Sequence, residues 1–203
     1  LSLCGMPPST ISILLLFAAS LILYCLFGRK LRFEKEKNNG DGLRMNLLTL
    51  SAASALSFAL LIVIVNVLFT PLWDIDSFTL WGLKSKVLFY SGLDKESYFC
   101  VEEYGFSHLD YPLLCPFLTA GIYASIGESS QIAGKILYIP LFVFFALFLY
   151  SSSSRRIGKN TAFALSAILL SSPAVLQWSA AGTADIYLAV FYSLAIFYSI
   201  RYI

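Results

Sequence analysis

Long uncharged apolar runs alternate with short polar joints along the chain. Residues 10–27 form an uncharged run of 18, just long enough at about 1.5 Å per residue to cross about 30 Å of hydrocarbon. Residues 28–44 follow as a joint of Arg29, Lys30, Arg32, Lys35, Lys37 and Arg44 around the turn material Asn38-Asn39-Gly40-Asp41-Gly42. A second run, 45–70, ends at Pro71 with Trp73 where an interfacial aromatic belongs. The pattern of 77–91 predicts a helix: Asp76 or Ser77 caps it, Phe78, Trp81 and Leu88 share a face, and Gly92 stops it. Lys84 and Lys86 flank apolar residues there, which predicts a helix lying along the membrane surface with both lysines snorkelling to head groups.

Residues 113–127, about fifteen long and broken by Pro116, have the length of a re-entrant or interfacial segment rather than a span. Runs 131–150, 161–177 and 184–200 then alternate, with Arg155, Arg156 and Lys159 in the joint between the first two. If 113–127 does not cross, basic joints fall on one side, as the positive-inside rule requires: ten of the fourteen basic residues lie on the cytoplasmic face. The expected fold is therefore all-α, a polytopic transmembrane helical bundle of about five spans with interfacial or re-entrant helices on the outer face. Residues 1–44 hold the first span and a basic cytoplasmic loop. Residues 45–203 hold the remaining spans and an outer loop, 71–112.

Composition agrees: 58% hydrophobic and 13% charged, against about 45–50% and about 25% in soluble domains. Basic residues at membrane edges, without a dense patch beside aromatics, predict no nucleic-acid partner. The four cysteines lack CxxC spacing, and Cys100 with Cys115 is the one pair considered for a disulfide. The chain starts at Leu1 and stops after an apolar run, which reads as a fragment.

Candidate chemistry gathers in 71–111, which carries seven of the twelve acidic residues and the single histidine. The topology places Asp74, Asp76, Asp110 and Asp185 at the outer membrane boundary, where ionisable groups mark sites. Asp185 can cap the last span, and one of Asp74 and Asp76 can cap the helix at Ser77. The other carboxylate is then left for general-base work or metal binding. His108 and Asp110 are near-neighbours suited to metal or substrate. Lys135, four residues into a span, either snorkels or meets a phosphate. No Walker loop, GxSxG, HExxH or dinucleotide fingerprint occurs, so no nucleotide cofactor is indicated.

Several pieces resemble the GT-C membrane glycosyltransferases, the superfamily of protein O-mannosyltransferases, family 39 enzymes and the lipid A aminoarabinose transferase. They are Trp73-Asp74, the stretch Trp81-Gly82-Leu83-Lys84-Ser85-Lys86, the stretch Ser107-His108-Leu109-Asp110-Tyr111-Pro112, Gly127-Glu128 before Lys135, Arg155-Arg156, and Gly182-Thr183-Ala184-Asp185. The likeness covers about 65–203, and the first span is extra. It implies a multi-pass protein of the bacterial inner membrane that moves a sugar from a polyprenyl-phosphate donor to a glycan, lipid or protein acceptor on the non-cytoplasmic face, among membrane lipids. Asp74 or Asp76 is the implied base. Asp185, His108, Asp110, Tyr111, Trp81, Lys84, Lys86 and Lys135 are the implied substrate contacts. A divalent cation, magnesium or manganese, on Asp74, Asp76 and Asp185 is the implied cofactor, with the metal requirement left open. A transporter or flippase-like protein and a non-catalytic assembly subunit are the alternatives; a transporter is expected to carry charges near the bilayer midplane in broken helices.

Overall fold

The computed structural model describes residues 46–92 and 102–202. The expected first span, the basic loop after it and Cys100 lie outside these residues. Within them every regular element is helical. Helix α1 is Leu47–Phe69, followed by a π-helical turn, Ser77–Gly82, that runs straight into α2, Leu83–Ser91. A 3-10 turn, Glu102–Ser107, precedes α3, Leu114–Ile126. The rest comprises α4, Gln131–Gly134; α5, Tyr138–Ile157; α6, Lys159–Leu170; α7, Pro173–Trp178; and α8, Asp185–Tyr202. Two helical stretches, Leu47–Phe69 and Gln131–Ile157, are long and apolar enough to cross a membrane.

Local chemistry accounts for the helix ends. The Asn46 side chain accepts from the Thr49 amide at 2.8 Å and its hydroxyl at 2.9 Å, which starts α1. Gly92 and Gly127 end α2 and α3 at positive φ. Arg155 and Arg156 sit in the last turn of α5, where the helix dipole favours cations, so the helix continues through the expected joint and ends before Gly158.

Two further expectations change. The run 161–177 is not one helix: it breaks at Ser171-Ser172, and Pro173 opens α7, its fixed φ and missing N–H suiting a first helical position. At 12 residues, α6 spans about 18 Å, well short of a bilayer core. Pro116 does not break α3, because it lies in the first turn, where no intrahelical N–H bond is lost. The 13 residues of α3 reach about 20 Å, which keeps it below spanning length.

The chain divides into two compact units. In the first, residues 46–62 with Phe145–Leu176, small side chains let α1 and α6 approach: Ala52, Ala164 and Ala167 are buried, flanked by Leu56 and Phe163. Ser171 Oγ donates to the Ala55 carbonyl at 3.3 Å, and Tyr150 meets Phe163 edge-on at 6.1 Å. In the second, Val63–Phe144 with 177–202, α2 packs on α3, and Phe89 meets the buried Tyr123 edge-on at 5.9 Å. All the candidate site residues lie in this second unit.

Candidate functional site

The end of α1 begins the site. A helix leaves its last carbonyls short of intrahelical donors, and here Lys135 joins the Thr70 amide and hydroxyl, both of which donate to the Asn66 carbonyl. Its Nζ donates to the Asn66 carbonyl at 2.9 Å, to the Thr70 carbonyl, and to Thr70 Oγ1 at 3.3 Å. The side chain is 1% exposed. Its ammonium is thus committed to the scaffold, and the expected contact with a substrate phosphate gives way to a helix-end cap.

Beyond this end the chain turns through Leu72 to Ser77. Leu72 N–H donates to Gln131 Oε1 at 3.4 Å, and its side chain is wedged between two glycines. A Cβ on Gly82 would lie 3.0 Å from Leu72 Cδ1, and one on Gly182 would lie 2.4 Å from Cδ2. Gly182 also has φ +88, a conformation L side chains rarely adopt. Both glycines are therefore required for Leu72 to sit where it does.

Asp74 starts the π turn. Its Oδ2 accepts from the Ser77 amide at 3.2 Å, and its carbonyl accepts from Ser77 Oγ at 2.7 Å and from the Phe78 amide at 3.1 Å. Asp76 makes no capping hydrogen bond and is exposed. The capping role left open between the two falls to Asp74, which keeps its other carboxylate oxygen for further chemistry.

The Gly182 loop, three residues before Asp185, meets this turn. A Cβ on Gly182 would stand 3.5 Å from Ser77 Cβ, so the loop packs on the segment that Asp74 caps. Tyr138 fixes it from the other side: its hydroxyl donates to the Thr183 carbonyl at 2.7 Å, and its ring meets Tyr187 edge-on at 5.4 Å. Asp185 follows, exposed in the first turn of α8, where the helix dipole favours a negative charge.

A second cluster surrounds Lys84. The sequence places this lysine on a surface helix, yet it is fully buried. Its Nζ donates to the His108 carbonyl and stands 5.8 Å from the Trp81 ring centre and 5.5 Å from that of Tyr111. Cation–π attraction and a charge-assisted hydrogen bond thus replace head-group snorkelling. Burial pushes the Lys84 ammonium below its ordinary value, and the negative charge of Asp110 raises it part of the way back. Tyr111 stacks on His108 at 4.7 Å and on Trp81 at 5.9 Å, while His108 and Asp110 are exposed. Lys86, two residues on, remains half-buried.

The glycine junction is tightly closed. The cleft among Leu72, Gly82, Tyr123, Lys135, Tyr138 and Gly182 holds about 10 Å³ of void, the room of one water at most. The junction therefore has no room for a ligand larger than water. Among the described residues no three His, Cys, Asp or Glu side chains gather into a metal-ligand set. Cys115 is a buried free thiol, 3.5 Å from the Tyr138 hydroxyl.

Leu72, Gln131 and Tyr138 were not singled out from sequence. Their only signal was Gly82 and Gly182 inside apolar surroundings, where a glycine marks close approach. Comparisons with protein-family models, curated proteins and solved structures found no match to this chain.

Proposed function

We propose that this chain carries the membrane region of a GT-C type glycosyltransferase, which moves a sugar from a polyprenyl-phosphate donor to an acceptor hydroxyl on the non-cytoplasmic face. One observation carries the reading. Gly182 packs on the Leu72–Ser77 turn, so acidic positions 74 and 185, far apart in sequence, arise from touching segments. Asp74 is the base: one oxygen is held by the Ser77 amide, and the other takes the acceptor proton. The acceptor oxygen then bonds to the anomeric carbon as the bond from that carbon to the phosphate oxygen breaks. The phosphate departs with the electron pair, and one displacement inverts the centre. Asp185 orients the sugar hydroxyls. With Lys84 and Lys135 buried and engaged, Lys86 is, among the described residues of this outer region, the cation left to meet the departing phosphate.

The membrane setting is supported by surface chemistry. The most apolar windows of the two long helical stretches are only 28% buried, whereas the core helix of a soluble domain is mostly covered. Large apolar side chains at the turn are open as well: Phe69 is 75% exposed, Ile75 76% and Phe78 54%. Surface of this kind needs lipid or a partner. In the five-span arrangement, 159–178 crosses as a helix broken at Ser171-Ser172. The buried Lys135 sits at the end of α1 and not at its middle, which favours the enzyme over a transporter with midplane charges.

The test uses the full-length chain in membranes. Asp74→Asn and Asp185→Asn should each cut transfer from a polyprenyl-phosphate sugar by about 100-fold or more at wild-type expression. Undiminished transfer in both would sink the assignment.

A further inference from the structure

An ammonium is costly to bury, and the cost is offset only where it holds something a neutral side chain would not. Lys84 is fully buried, and its hydrogen-bond acceptor is the carbonyl of His108. That residue has φ +52, a left-handed conformation uncommon for a side chain other than glycine, though histidine tolerates it better than most. The same carbonyl accepts the Tyr111 amide at 3.0 Å, and the His108 amide donates to the Gly105 carbonyl at 3.0 Å. One carbonyl thus ties together the turn and the ammonium beneath it.

The aromatic groups complete the enclosure. Trp81 belongs to the π turn, one residue before Gly82, and Tyr111 to the far end of the 108–111 turn, and both rings lie within cation–π range of Nζ. Tyr111 is also the ring on which the His108 imidazole stacks, with 15° between the planes. His108 and Asp110 stay exposed beside this enclosure, as does one edge of Tyr111.

We propose that Lys84 is a positioning residue: its buried ammonium locks the 108–111 turn and holds His108 and Asp110 as a preformed edge for acceptor hydroxyls. The identity of the ligand rests on the glycosyl-transfer reading; the lock does not. Lys84 itself touches no substrate.

His108 is the only histidine in the chain, so histidine selectively labelled with carbon-13 gives this 203-residue chain a single imidazole signal. Stacking on Tyr111 should displace that signal from the position of free histidine. Lys84→Met should return it to the free position, and Lys84→Arg, which keeps a cation and donors, should hold it displaced. A displaced signal unchanged in Lys84→Met overturns the proposal. If that variant loses its helical circular dichroism, Trp81→Leu decides, because it removes one of the two rings over the ammonium and alters neither His108 nor Tyr111. A signal moving toward the free position supports the lock, and an unmoved one overturns it. Neither measurement needs transferase activity, so failure of the enzyme reading and failure of the lock give different results.

Discussion

Lys135 and Lys84 are both buried ammonium groups that donate to backbone carbonyls, but they hold different things. Lys135 reaches three oxygens at the end of α1, all in the scaffold. Lys84 reaches one carbonyl and one ring in the exposed 108–111 turn, and the Trp81 ring of the π turn. The inner junction, where Lys135, Leu72, Gly82, Gly182 and Tyr138 meet, has almost no free space. The outer turn leaves its imidazole and carboxylate open. Burial of a cation therefore serves closure in one place and presentation in the other.

The largest expected effect comes from removing the inner cation. Lys135→Met leaves the Thr70 carbonyl without its buried donor and should cost about 2–3 kcal/mol in detergent-solubilised protein, read as a lowered thermal midpoint. Lys84→Met should cost about 1 kcal/mol or less, because the His108 carbonyl keeps the Tyr111 amide. Equal losses in the two variants would erase the distinction between closure and presentation.

A smaller effect sharpens the picture of the junction. Gly182→Ala places a methyl group 2.4 Å from Leu72 Cδ2 at a positive φ and should cost about 2 kcal/mol. Leu72→Ala in the same chain should recover about 1 kcal/mol of that, since it removes the overlap but not the backbone strain. Strict additivity of the two changes, measured by the same unfolding midpoint, would mean that the wedge is not what makes glycine necessary.

The smallest effect is a pH slope. Burial holds the Lys84 ammonium below its ordinary value of 10.5. Between the lowered value and the ordinary one, the unfolded chain binds more protons at this site than the folded chain, so stability rises with pH in that window. Lys84→Met should lose this contribution, seen as a flatter dependence of the unfolding midpoint on pH.

The helices were largely legible in the pattern. The run 45–70 becomes Leu47–Phe69, Gly92 stops α2, and 113–127 becomes a helix below spanning length. The break at Ser171-Ser172 was missed because serine is tolerated inside apolar helices, and the pattern carries no sign of a lost turn other than Pro173. The extension of α5 through Arg155 and Arg156 was missed because a topology rule treats arginines as a joint, while the helix dipole welcomes them in a last turn. At the site, the sequence offered Asp76 or Ser77 as the cap, with Asp74 a further candidate. Which one caps depends on the register of the π turn.

By itself the sequence determined, within the described residues, most of the stretches that are helical and apolar, and that the acidic residues concentrate between Pro71 and Tyr111, because periodicity and run length are local properties. Only the tertiary structure decided that Lys84 and Lys135 turn inward and that Gly182 lies on the Leu72–Ser77 turn. Whether a lysine is exposed or buried depends on which carbonyls and rings another part of the chain brings within reach, and no local pattern contains that.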